Sequence, residues 1–275
     1  MELMLQTILA SWHNLAVWLV ALGLAFSVLA KVSPCNPEQK ILRSGLLTDL
    51  CYSLFVPIFN RLARVAFIAV GASLLFFGES QEQMQRYLQS GFGVLGTLPI
   101  WLQAAIIFLL SDILLYWGHR LFHRQSLWRF HAIHHCSEDL DWFSAVRFHP
   151  VNSIFTFALV DALMLLAGFS PMAVGLFVGL NTIYSAMVHA NLNWTFGPLR
   201  YVFASPVFHR WHHTSQQEGM DKNFAPTFPL LDVIFGTFYM PENRLPQAYG
   251  VPGSNIPKDF IGQMIWPLRR DRKEG

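Results

Sequence analysis

The stretch DILLYWGHRLFHRQSLWRFHAIHH, residues 112–135, decides how the chain is read. It begins in apolar sequence and ends among five histidines: His119, His123, His131, His134 and His135. On a helix, positions i, i+3 and i+4 share a face, so H-x-x-x-H at 119–123 and H-x-x-H-H at 131–135 are each expected to present their imidazoles in one direction. A second H-x-x-H-H follows 78 residues later, at His209, His212 and His213, with His149 and His189 between the two. Ten of the chain's 11 histidines fall in the 95 residues from His119 to His213. Neutral imidazole is the commonest protein metal ligand and suits iron, zinc, copper and nickel. A single zinc takes three or four protein ligands, so this many histidines points to a dimetal centre.

Several chemistries are excluded on pattern. No Glu-x-x-His pair is present, which argues against the carboxylate-bridged di-iron class. The His-Glu-x-x-His signature of zinc peptidases is missing too. Residues 91–96, GFGVLG, match G-x-G-x-x-G, but no strand precedes them, and they read as a flexible interfacial loop rather than a dinucleotide site. Cys35, Cys51 and Cys136 form no close pair, so neither a disulfide framework nor a zinc ribbon is implied. Cys136 reads as a plain thiol, and Glu138, Asp139 and Asp141 as a solvated loop.

Working outward, composition gives the environment. Charged residues make up 13 % of the 275 positions and hydrophobic ones 53 %, against about 25 % charged in a soluble domain. The chain therefore reads as an all-α membrane protein. Its net charge of +2 carries no argument for nucleic acid. Leu5–Leu29 is long enough to span a bilayer, and lacking a basic leader it reads as a retained span. Asp49–Phe77 divides into an interfacial piece ending near Asn60 and a span from Leu62. Pro99–Gly118 is the next span and runs straight into His119. Ser153–Ala167 and Pro171–Val188 form a hairpin around Gly168. From Asn191 the chain is mostly extramembranous, with the apolar stretch Phe224–Met240 lying at the surface. The expected fold is about four transmembrane helices under a cytosolic helical cap that holds the histidines. The divisions are 1–98 (membrane spans and loops), 99–240 (catalytic domain) and 241–275 (tail).

Loop charge gives the orientation. The loops Lys31–Thr48, His119–Asn152 and Asn191–Gly275 carry 16 of the 19 basic residues, so they and every histidine group belong on the cytoplasmic side. Asp112, one heptad before His119, is expected to accept a ligand N–H, and Asp161 sits mid-span as a similar case. Arg120, Arg124, Arg129 and Arg210 read as headgroup anchors.

The three histidine motifs together resemble the fatty acid hydroxylase/sterol desaturase superfamily. So do Asp112…Tyr116-Trp117-Gly118-His119-Arg120, the segment Arg147-Phe148-His149-Pro150, and Leu231-Asp232-Val233-Ile234-Phe235-Gly236-Thr237. The resemblance covers about residues 105 to 240. It implies an integral membrane di-iron enzyme that uses O₂ and external electrons to hydroxylate or desaturate a fatty acyl chain or sterol-like lipid. The cofactors would be two Fe ions, with Zn as a replacement on purification. It implies metal ligands at His119, His123, His131, His134, His135, His209, His212 and His213, with His189 at a further ligand position. Asn193 stands where some fatty acid hydroxylases carry another histidine, and is expected to act weakly or through water. Asp112 and Asn193 are the non-histidine residues assigned to the catalytic site. His149 is a candidate ligand or a residue that positions substrate. With no flavin, haem or nicotinamide signature, electrons are expected from a separate ferredoxin or cytochrome-type donor. The expected setting is a bacterial inner membrane, crossed several times. The competing reading is a non-enzymatic metal-binding or transport protein, which would favour ligands along the spans rather than at their ends.

Overall fold

A computed structural model describes residues 2–75 and 77–269. The fold is helical, and among the described residues the β-structure is a single bridge between Thr214 and Tyr249. Helix α1 covers Glu2–Val32, α2 Leu46–Leu75, α3 Gln81–Ser90, α4 Ile100–Phe122 and α5 Gln125–His135. Helix α6 runs from Pro150 to Leu166 with a π-helical stretch at Phe157–Ala162, and α7 covers Pro171–His189. Three short helices complete the chain: α8 Pro206–His212, α9 Leu230–Ile234 and α10 Phe260–Ile265.

Among the described residues three helical stretches are long and apolar enough to cross a membrane: Leu46–Gly71, Ile100–Phe122 and Pro171–His189. Val17–Val32 and Pro150–Leu166 are shorter apolar helices. Helix starts follow local chemistry. Ser170 accepts from Ala173 N–H at 3.0 Å and Ser205 from Phe208 N–H at 3.2 Å, each just before a proline that needs no N–H partner at the first helical position.

The long helices each bring one end to the histidines: α1, α4 and α7 their C-terminal ends, α2 its N-terminal end. Helices α4 and α7 both terminate there, at Phe122 and His189. The end of α1 is tied to the residues just after α7 by Asn193 N–H donating to Ser33 O at 3.0 Å. The start of α2 is fixed by the fully buried Asp49, which pairs with Arg43 at 2.5 Å and with Arg147. At the opposite end the α6–α7 turn packs on the segment before α4, where Phe92 N–H donates to Gly168 O at 2.9 Å.

That contact revises the reading of GFGVLG as a flexible loop. Gly91 has φ +82°, and a Cβ there would lie 2.2 Å from the Gly168 carbonyl oxygen. The glycine permits backbone-to-backbone packing, so the segment is a close-packed turn. Nor is α2 divided near Asn60. It continues through Pro57, Arg61 and Arg64 as one helix. Arg64 is accommodated because its Nε meets Asp161 at 2.5 Å while its guanidinium lies 4.8 Å from the Phe157 ring centre. Arg64 and Asp161 thus neutralise each other among the apolar helices.

Three further expectations change. Asp141 is not part of a solvated loop; it caps the turn Trp142–Val146 and pairs with Arg43 at 2.7 Å. Arg210 is fully buried rather than at the headgroups, donating to Leu140 O at 2.6 Å and packing 4.6 Å from the Tyr249 ring centre. The stretch from Phe224 to Met240 does not simply lie at the surface. Phe224, Ala225, Thr227, Asp232 and Thr237 are buried, and Phe224 packs against His119, His123 and His212.

Candidate metal centre

The structure gathers nine histidines into two groups. His119, His123, His131, His135 and His212 form one; His134, His189, His209 and His213 form the other. Within each group one ring nitrogen per residue lies within 4.8 Å of all the others. The H-x-x-H-H triplets do not point one way, as helical spacing alone had indicated. In α5, His131 and His135 face the five-histidine group while His134 turns to the other. The segment of α8 does the reverse, with His212 in the five-histidine group and His209 and His213 in the four. Successive helical residues are about 100° apart, so i+3 and i+4 diverge enough to serve two centres.

Nitrogen spacing and tautomers fit a metal at each group. Imidazole nitrogens bound to one metal at about 2.0–2.1 Å stand about 3.0–3.4 Å from one another. The observed Nε2–Nε2 separations are 3.3 Å for His131–His135, 3.1 Å for His134–His189, 3.0 Å for His189–His209 and 3.1 Å for His209–His213. In the five-histidine group His119 Nδ1 donates to Phe224 O at 2.8 Å and His212 Nδ1 to Lys222 O at 2.7 Å, while His123 Nδ1 lies 3.0 Å from Asp221 Oδ1. Those bonds leave the Nε2 lone pair of each ring inside the group, and all three Nε2 atoms are buried without a hydrogen-bond partner. A buried acceptor with no donor is costly, and a cation held among the three supplies what they lack.

Burial keeps the ligand set neutral. Desolvation first, and repulsion from neighbouring imidazoles second, holds His131, His135, His212, His213 and His209 well below the ordinary histidine value of 6.5. His134 is lowered in the same way. Neutral imidazole is the metal-binding form. Aromatic rings close the surroundings: Phe148 stacks on His134 at 4.2 Å, and Trp128 packs on His123 and His135 at 5.0 and 5.3 Å between ring centres.

The other residues singled out in the sequence lie elsewhere. His149 joins neither group; its Nδ1 accepts from Val151 N–H at 3.2 Å and its Nε2 lies 3.1 Å from Met264 O, so it caps α6. Asn193 is exposed, with its Oδ1 accepting from Ser33 Oγ. Asp112 is buried, but it accepts from Thr227 N–H at 2.8 Å and Phe228 N–H at 3.0 Å rather than from a histidine. It acts on the loop that carries Phe224 O, the acceptor for His119.

That loop escaped the sequence reading. Asp232 accepts from Phe224 N–H and Ala225 N–H, each at 2.8 Å, and from Thr237 Oγ1 at 2.6 Å. Asn223, at φ +58°, donates to Phe208 O and Tyr239 O. The available signal was modest: Asp221 and Asn223 are residue types that tolerate left-handed backbone, and an acid at 232 sits in an apolar run.

Comparison with known proteins follows the same residues. The profile of the Fatty acid hydroxylase family matches residues 104–237. The chain is 33 % identical over 179 residues to ornithine lipid hydroxylase OlsE of Rhizobium tropici, an alignment covering 64 % of this chain and 54 % of that protein. It is 29 % identical over 200 residues to alkylglycerol monooxygenase of Xenopus tropicalis, covering 72 % of this chain and 42 % of the relative. A more distant likeness, 26 % identical over 147 residues, is to very-long-chain aldehyde decarbonylase GL1-11 of Oryza sativa subsp. indica, covering 51 % and 55 %. The chain spans about half the length of these curated relatives. No solved structure matches it.

Proposed function

Through residues 104–237 the chain belongs to the fatty acid hydroxylase superfamily, and from that premise we propose that it is a membrane-bound, O₂-dependent lipid hydroxylase with a dinuclear iron centre. The observation that carries this reading is the convergence of nine imidazoles, seven of them on buried residues and two on half-buried ones, into two groups beside the ends of apolar helices. A bound iron pair, fed two electrons from outside, would activate O₂ for attack on an unactivated C–H bond, a task no side chain here performs alone.

The protein's own residues bind, orient and exclude. The five-histidine group and the four-histidine group would each hold one ion. Phe224 O, Lys222 O and Asp221 fix the tautomers of His119, His212 and His123 so that each keeps a lone pair directed inward. Phe148, Trp128 and Phe224 exclude water from the imidazoles. His119 lies in the last turn of α4 and His189 ends α7, so the centre lies where an acyl chain can reach it from the bilayer.

The relatives' names favour hydroxylation over desaturation and a membrane lipid as substrate: one is an ornithine lipid hydroxylase and another an alkylglycerol monooxygenase. The positive-inside distribution supports four or five passes with the centre facing the cytoplasm of a bacterial inner membrane, where a separate ferredoxin or cytochrome-type donor would deliver electrons. Incubating iron-loaded protein in its own membrane lipids with a reducing system and ¹⁸O₂ tests the proposal. Lipids that gain one labelled oxygen atom are the expected result. Lipids free of the label, with the metal sites filled, would overturn it.

A further inference from the structure

The two histidine groups differ in how their rings are held from outside. In the five-histidine group the outer nitrogens of three ligands end on a four-residue segment: His123 on Asp221 Oδ1, His212 on Lys222 O and His119 on Phe224 O, at 3.0, 2.7 and 2.8 Å. A fourth ligand, His131, has Nδ1 3.2 Å from Asn152 Nδ2, a nitrogen that supplies no acceptor. The segment is itself fixed. Asp232 accepts from the N–H groups of Phe224 and Ala225, Asp112 from those of Thr227 and Phe228, and Asn223 spans Phe208 O and Tyr239 O. The buried Asp232 and the buried Asn223 amide thus hold the segment that orients three rings, and the buried Asp112 holds the chain three residues beyond it.

The four-histidine group has no such brace. His189 donates from Nδ1 to Ser185 O at 2.7 Å, one turn back in its own helix. His209 Nδ1 and His213 Nδ1 are buried without partners, and so is His134 Nδ1, although the Arg147 backbone lies beside the His134 ring. An outer acceptor raises the basicity of a ligating imidazole and limits the freedom of its ring, and removing one weakens metal binding by about 10–100-fold.

Resting on the dimetal reading above, we propose that Asp221–Phe224 makes the two metal positions inequivalent: the five-histidine position holds its ion more tightly, and the four-histidine position is the one that exchanges. Asp221 is the positioning residue through which this can be altered, since the other two acceptors are backbone carbonyls. Its side chain is 72 % exposed, so replacing it removes the bond to His123 and little packing.

The test uses the full-length chain in detergent, loaded with zinc and stripped by graded EDTA, with remaining metal counted by elemental analysis. Zinc is redox-inert, so the readout is independent of turnover. Wild-type protein is expected to lose its two zincs in separate steps, with apparent affinities at least about 10-fold apart. His209→Ala with His213→Ala should abolish the weaker step and leave the tighter one. Asp221→Ala should weaken the tighter step by about 10–100-fold and leave the weaker one unmoved, with Asp221→Asn recovering most of the loss by keeping an acceptor oxygen. That rescue separates the outer bond from the simple advantage of five donors over four. Two zincs lost in a single step, or an Asp221→Ala effect confined to the weaker step, would overturn the inference and leave the dimetal reading intact. A chain that retains no zinc at either position would overturn both.

Discussion

His134 and His135 are adjacent in the chain, yet their imidazoles belong to different nitrogen groups: His134 lies 3.1 Å, Nε2 to Nε2, from His189, while His135 lies among His119, His123, His131 and His212. Adjacent helical positions are about 100° apart, so one short helix can serve two centres at once. Replacing the adjacent pair, His134→Ala with His135→Ala, should therefore weaken both metal positions. A pair within one group, His134→Ala with His213→Ala, should remove about one metal equivalent per chain and spare the other. Elemental analysis after exposure to a mild chelator reads the difference, and turnover should be lost in both variants. The same single-metal loss from both pairs would contradict the division into two groups.

Asp112 acts at a distance from the imidazoles. Alanine there leaves the buried Thr227 N–H and the half-buried Phe228 N–H without their acceptor, at a cost of about 1–3 kcal/mol for the buried group. The braced loop should loosen, with a fall in thermal midpoint and weaker metal retention. Asparagine keeps one acceptor oxygen and should lie between. An alanine variant with wild-type midpoint and metal retention would show that the loop stands without this carboxylate.

The pair between Arg64 and Asp161 sits among apolar helices at 2.5 Å. Removing one partner strands the other charge, and buried pairs broken in this way cost about 3–5 kcal/mol. Arg64→Leu and Asp161→Leu should each destabilise the protein toward denaturing detergent, and the double variant should recover much of the loss. A double variant as unstable as the sum of the singles would contradict a direct pair.

Metal-free protein should be acid-sensitive. Burial lowers the histidines of both triplets well below 6.5, so below that pH the unfolded chain binds protons that the folded chain refuses. Stability from this source is fully present above about 6.5 and is lost as pH falls through and below it. The thermal midpoint of metal-free protein, followed from pH 8 to 5, should drop on the acid side. A flat or rising profile would contradict neutral, buried imidazoles.

Much of the centre was legible in the sequence because its donors are side chains of one unusual type at helical spacing. The allocation of each donor was not, because it depends on how α5 and α8 face each other. His149 shares the histidine window, but its backbone position before Pro150 makes it a helix cap. Asn193 follows His189 at helical spacing, but α7 has already ended and Ser33, 160 residues away, takes its oxygen. Phe224 O and Lys222 O gave no signal at all, since every residue has a carbonyl. The membrane class was legible in the low charge, whereas the continuity of α2 depended on a partner for Arg64 that lies 97 residues further on.

The central claim is a dinuclear centre built from the two groups. Metal content of detergent-purified protein reconstituted with iron-57, combined with Mössbauer spectroscopy, tests it most directly. The expected result is near two irons per chain with the signature of a coupled pair. One iron per chain, or two with no coupling between them, would contradict it.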